Sequence, residues 1–240
     1  MNACRKSSVV HWALGALLLP VALLFSLPAY ASPPPSKAEA SERVEKMPRA
    51  MEALFEALQE LPGIEARFQE EKHLSLLALP IESEGVLYFH KKGYLLRKIT
   101  KPTPSSIRIT PKELSIDEDG KRQRIELSSH RDVAHMVQSF LWILAGDIEA
   151  LRTHFRMEFT SKDDTARNAV PAEWTLTLHP THPRVKKLLE RIRVQGNDVH
   201  VRRIVVEEQG GDRTVTTIQK ADTARRFSDK EAKELFGKAP

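Results

Sequence analysis

Cysteine is nearly absent. The 240-residue chain has one, Cys4. No disulfide can form, and past Cys4 there is no thiol to carry a lipid anchor. A long apolar run is also missing. Ala13 to Leu27 is uncharged, but it is shorter than the roughly 20 residues a bilayer span needs. Gly15 and Pro20 interrupt it. Charge of one sign is nowhere concentrated. Lys and Arg number 37 against 32 Asp and Glu, a net charge of +5. No basic block is interleaved with aromatics, which argues against nucleic acid as a partner.

The usual marks of catalysis are missing too. No Gly-x-Ser-x-Gly elbow, phosphate loop or dinucleotide fingerprint occurs. His179 and His182 flank Pro180-Thr181, but two histidines without a carboxylate do not complete a metal set. His130 and His135 are five apart, off the spacing that shares a helical face. The acidic stretch Asp117-Glu118-Asp119-Gly120 lacks the spaced ligands and closing glutamate of a calcium loop. The expectation is a protein that is not an enzyme, with no metal and no cofactor.

What is present begins with an export signal. Arg5 and Lys6 precede the apolar run, and Ala29-Tyr30-Ala31 gives the small-x-small cleavage pattern. Residues 1–31 read as a cleaved signal peptide, whose loss takes two positive charges with it. Residues 32–43 are a proline-rich polar tether. Residues 44–240 are then long enough for one domain with a substantial core.

Hydrophobic periodicity divides that domain. Val44, Met47, Met51, Leu54, Phe55 and Leu58 recur at three- and four-residue steps, predicting a helix with Pro48 in its first turn and Pro62-Gly63 as its stop. From Ile64 the period is two. Strands are predicted through Phe68, Val86–Phe89, the return stretch Tyr94–Thr100, Ile107–Ile109, and either side of the Asp117–Gly120 turn. His130 to Ala145 reverts to a helix, with Gly146 as C-cap and Asp147 capping a short helix after it. Strands resume through Phe155–Phe159, Trp174–Leu178 and three further segments. "QGND" and "QGGD" separate the last of these. Ser228 caps a terminal helix. About ten antiparallel strands with so few helices imply an α+β fold: a curled, incompletely closed antiparallel β half-barrel covered by a few α-helices.

One stretch does not fit a plain connection. Leu74, Leu76, Leu77 and Leu79 crowd into "HLSLLALP" between two strands. They either stay exposed at a rim, where apolar patches mark interaction sites, or fold inward and finish the core.

The order of these segments resembles the LolA-type periplasmic outer-membrane lipoprotein carrier family, in its divergent LolA-like branch. The stretches that carry the resemblance are "IEARFQEEKHL", "ESEGVLYFHKKGYLLRK", the mid-chain helical pair, the "GD"-centred last hairpin and the late "RRF". Phe68 and Gln69 resemble the family's first-strand F-x-Q pattern, and Gly85, Leu87 and Phe89 its second strand. The chain departs where the family has an Arg-Pro pair and then a tryptophan. Lys92-Gly93 and Leu95-Leu96 stand near those places. Lys91 or Lys92 supplies the arginine's charge there but not its planar fork.

The resemblance implies a carrier in the periplasm of a Gram-negative bacterium. It takes lipoprotein acyl chains, or another lipid, from an inner-membrane ABC-type release complex to an outer-membrane receptor. It works without catalysis, and the expected state is a monomer, since nothing in the chain points to an oligomer. The acyl cavity is expected to be lined from the sheet by Phe68, Leu87, Phe89, Leu96, Ile107 and Ile109, and by Phe155, Phe159, Trp174 and Leu176. Met136, Phe140, Leu141 and Leu144 are expected to line it from the apolar helix. Leu74, Leu76, Leu77 and Leu79, with Lys91 and Lys92, are the expected rim and handover residues. The departure at the Arg-Pro-Trp positions leaves open another amphiphile, such as a glycolipid or a lipid-linked pigment. A non-enzymatic lipid- or lipoprotein-sensing module is the other alternative.

Overall fold

A computed structural model describes residues 48–162 and 169–237. The expected signal peptide, the tether, Val44 and Met47 lie outside them. The first described helix, α1 (Arg49–Gln59), buries Ala50, Met51, Leu54, Phe55 and Leu58, the stripe its spacing predicts. Leu61 N–H closes it on the Leu58 carbonyl at 3.2 Å.

Eleven strands follow, all in one antiparallel sheet. They are β1 (Gly63–His73), β2 (Ile81–His90), β3 (Tyr94–Lys101), β4 (Ser105–Ile109), β5 (Glu113–Glu118), β6 (Lys121–Glu126), β7 (Phe155–Ser161), β8 (Trp174–Pro180), β9 (Leu189–Asn197), β10 (His200–Glu208) and β11 (Arg213–Asp222). The order β6-β5-β4-β3-β2-β1-β11-β10-β9-β8-β7 consists of two meanders joined where β1 pairs with β11. β6 and β7 are the two edges and do not pair, so the sheet is not closed into a barrel.

Turn chemistry sets the hairpins. Gly93 at φ +84° ends the β2–β3 turn, and Asp119 and Gly120, at φ 50° and 71°, make the β5–β6 turn. A left-handed pair such as Asp119-Gly120 matches the twist of the strands it joins. A 3-10 turn at Leu127–Ser129 leads from β6 into α2 (Arg131–Ala145). Gly146 caps α2 at φ 68°. It packs so tightly on α1 that an added Cβ would lie 2.7 Å from the Phe55 carbonyl oxygen. Gln59 Nε2 donates to the Gly146 carbonyl at 2.8 Å and pins the two helices together. Asp147 accepts from Ala150 N–H at 3.0 Å and starts α3 (Ile148–His154). The short helix α4 (Pro183–Lys186) joins β8 to β9 and has no counterpart among the sequence expectations.

The terminal helix α5 (Asp229–Phe236) opens on a full capping box between Ser228 and Glu231. Its Ala232 and Phe236 bury against Leu96 of β3, with Tyr88, Tyr94, Phe227 and Leu235 around them. Leu96 pairs with Tyr88 and Arg108. Directly opposite residues share a face, so α5 lies on the face those residues define. The other face carries the longer apolar rows. Helices α1 to α4 complete the described part of the chain, and Ala134 and Gln138 of α2 reach round beside Ser115 and Arg124 of the α5 face.

Candidate functional site

Register shows what that other face carries. Across one end of the sheet runs the row Ile64, Phe89, Leu95, Ile109, Leu114 and Ile125, each opposite the next. All six are buried. This row is sealed core.

The rows further along are different. Leu87, Ile99, Ile218, Ile204, Met157 and Phe159 lie on the same face and are only half-buried. With the fully buried Val194 and Leu176, which stand between Ile204 and Phe159, they make an apolar band that solvent reaches only in places. Between its two halves, at the β1–β11 seam, stands a polar group. Arg97 donates to Glu70 at 2.7 Å, and both side chains are 17% exposed. Thr216 donates to the other Glu70 oxygen at 2.9 Å. The Arg97 guanidinium also lies 4.7 Å from the centre of the Phe68 ring. With both charges paired and the guanidinium on an aromatic face, the group is satisfied internally. Neither residue was singled out from the sequence.

The band runs toward the end of the sheet where β1 hands over to β2. The connection Leu74–Pro80 sits there, tied by its backbone. Ser75 N–H donates to Asp212 in the β10–β11 turn at 2.7 Å, and Leu77 N–H to the Leu74 carbonyl at 2.9 Å. Its side chains are in water: Leu76 is 91% exposed, Leu77 51%, Leu79 78%, and Ile81 just beyond 47%. Leu74 is half-buried. The leucines are therefore not folded into the core.

Behind this loop lies a buried carboxyl. Glu208 ends β10 on the same face as Val206 and is 3% exposed. Its Oε1 and the buried Thr214 hydroxyl have no hydrogen-bond partner among the described residues. Burial pushes the Glu208 carboxyl up to about 7 from 4.5, opposed by the Lys72 charge and reinforced by Asp212. An acid raised in this way destabilises the fold only where the unfolded chain has already lost the proton. The cost is absent below pH about 4.5, grows between about 4.5 and 7, and is complete above that. Allowing for solvent screening, it is about 2 kcal/mol. Glu208→Gln is expected to raise the melting temperature at pH 8 by about 5 °C and leave it nearly unchanged at pH 4. Thermal melts of both proteins at the two pH values check this.

The predicted lining residues divide. Phe68, Phe89, Ile107, Ile109, Phe155, Trp174 and Leu176 are buried on the helix-covered face, while Leu87 and Phe159 belong to its half-open band. On α2, Leu141 is buried and Phe140 and Leu144 are half-buried. The side chain of Met136 lies outside the described structure. Leu96 is a correction: strand alternation turns it to the opposite face, under α5, and Leu95 takes its place in the apolar row. The rim set is also corrected. Lys91 and Lys92 are exposed in the β2–β3 turn. They sit at the far end of ten-residue β2 from the leucine loop. At about 3.3 Å per residue the two are about 30 Å apart and do not form one rim.

An open antiparallel sheet with a helix-covered apolar face defines the class of LolA-like carrier and binding folds. The family described as outer membrane lipoprotein carrier protein LolA-like matches residues 47–237, and the chain belongs to it. Members of that family are carrier and binding proteins found in the periplasm. Among solved structures, the chain is similar to a LolA superfamily protein of Nitrosomonas europaea. Identity is 13% and the TM-score 0.40, covering 75% of this chain and 96% of that one. It is similar to lipoprotein LppX of Mycobacterium tuberculosis at 8% identity and a TM-score of 0.38, with coverage of 75% and 96%. A MucA/MucB complex of Pseudomonas aeruginosa matches at 10% identity and a TM-score of 0.40. There the match covers 75% of this chain but 58% of that one. No curated protein matches the chain. No described helix is long and apolar enough to cross a membrane.

Proposed function

We propose that this protein is a periplasmic carrier that shelters acyl chains and moves them from the inner toward the outer membrane without catalysing a reaction. The observation that carries the reading is the half-open apolar band on the helix-covered face, which leads to the exposed Leu76, Leu77 and Leu79. An acyl chain in water costs about 0.8 kcal/mol per methylene, so a band of this kind stabilises it for transit. Met157 and Phe159 supply polarisable, adaptable contacts for chains of varied shape. On this reading the leucine loop is the handover rim. An inner-membrane ABC-type complex loads the cavity and an outer-membrane receptor empties it.

The cargo is the acyl chains of a lipoprotein. A second reading, another amphiphile such as a glycolipid or lipid-linked pigment, draws on Lys92-Gly93 and Leu95-Leu96 standing where the family has Arg-Pro and tryptophan. Native mass spectrometry of the protein purified from a Gram-negative periplasm, followed by organic extraction, tests both. A bound acylated peptide supports lipoprotein cargo. A bound non-protein lipid replaces the cargo and keeps the carrier. A protein that stays empty when offered acyl ligands overturns the carrier reading in favour of a sensing module.

A further inference from the structure

The face of the sheet under α5 carries chemistry that an acyl carrier does not use. A cavity of about 860 Å³ opens there, bounded by β4, β5, β6, the β4–β5 turn, α2 and the end of α5. Register places its charges. Arg108 of β4 is directly opposite Ser115 of β5, which is opposite Arg124 of β6. At about 4.8 Å per strand the two arginines straddle Ser115 some 10 Å apart. Arg122 follows on the same face of β6, about 7 Å along from Arg124. All three side chains line the cavity, as does Lys112.

Their local partners leave much of this charge uncommitted. Arg122 forks onto one oxygen of Asp117 at 3.1 and 2.7 Å. Arg124 is 3.8 Å from Glu113, beyond hydrogen-bonding distance. Arg108 spends its Nε on the Leu235 carbonyl in the last turn of α5, at 2.9 Å. No described carboxylate is paired with it. Counting Asp117, which holds Arg122, beside Glu113 and Glu126 of the lining, three acids face four cations. Burial, and then the charge of Arg122, hold Arg108 below its ordinary value, while Asp117 and Glu113 oppose the shift. Like charges crowded at a half-buried guanidinium are unfavourable, and an anion among them relieves this.

We propose that Arg108, Arg122 and Arg124 form a binding site for a phosphate-bearing group, supplied by a soluble phosphate ester or by the headgroup of a lipid. A carboxylate occupies one guanidinium fork. A phosphate presents oxygens in several directions and accepts from forks on two strands at once. Ser128, also in the lining, adds a hydroxyl donor. The three arginines stand on the opposite face of the sheet from the apolar band, and the site does not depend on the carrier reading.

The test uses the whole mature protein. Isothermal titration with sodium pyrophosphate at 50 mM salt is expected to give one saturable site. Arg124→Gln and Arg108→Gln are each expected to weaken it about tenfold, the usual loss for a charge-assisted hydrogen bond. Arg202→Gln, remote on β10, should leave it unchanged. Arg124 is exposed, so its variant keeps the test valid even if Arg108→Gln disturbs α5. Co-sedimentation with phosphatidylcholine vesicles, with and without phosphatidic acid, separates the sources. Binding only to the acidic vesicles, displaced by pyrophosphate, assigns the lipid headgroup. Pyrophosphate binding without vesicle binding assigns a soluble ester. No saturable binding in either arm, or binding that both arginine variants leave intact, overturns the site.

Discussion

The double variant Leu76→Asp, Leu77→Asp is expected to melt within about 2 °C of the wild type and, on the proposed carrier function, to transfer acyl cargo at least tenfold more slowly. The first half follows from where the side chains are. At 91% and 51% exposure they contribute little to the folded state, and substitutions at such positions usually stay within about 0.5 kcal/mol. The loop is held by backbone groups of Ser75 and Leu77, which aspartate retains. The second half follows from what leucines do in water. Burying one against a membrane, a partner or an emerging chain contributes about 1.5–3 kcal/mol. Losing two is more than a factor of ten. The check is a melt together with the rate at which a fluorescent palmitoyl probe leaves the loaded protein for phosphatidylcholine vesicles. Unchanged transfer removes the loop from handover. A large fall in melting temperature returns the leucines to the core.

Much of the fold was legible because local signals agreed with one another. Gly146, Asp147 and Ser228 act as the caps their positions announced. The acidic turn at Asp119-Gly120 closes its hairpin. The candidate face was less legible, for three physical reasons. Parity decided Leu95 against Leu96. An apolar pair gives no sign of which member faces inward when both faces are covered, one by helices and one by α5. Long-range pairing decided the polar seam. Glu70 meets Thr216 146 residues away, and no local pattern reports that β1 and β11 are neighbours. In the strand segment "VRRIVVEE", alternation from Ile204 through Val206 carries Glu208 to the covered face. That signal was present in the period. It ran against the expectation that a carboxyl so placed seeks water.

Gly85→Ala is expected to be the most damaging single-methyl change on the candidate face, costing about 3 kcal/mol or more. The residue sits where β2 and β3 shift register, and the Lys98 backbone crosses close to the place its Cβ would take. An added Cβ would lie 2.1 Å from the Lys98 carbonyl oxygen and 2.8 Å from the tip of the Phe68 ring. The first contact is with backbone, which moves only if β3 moves. The second is with a ring that is itself buried and carries Arg97 on its face. Arg97 in turn holds Glu70, which holds Thr216 on β11. Displacing Phe68 therefore disturbs the one seam that joins the two meanders of the sheet, and the damage is not confined to one strand pair. For a domain of this size the loss corresponds to a melting temperature about 10 °C lower. On the proposed carrier function, cargo binding should fall in parallel, because Leu87 and Ile99 of the half-open band flank Gly85 on β2 and β3. A variant that melts normally and still binds would mean that β3 yields to the methyl group, and the seam would then be softer than its packing implies.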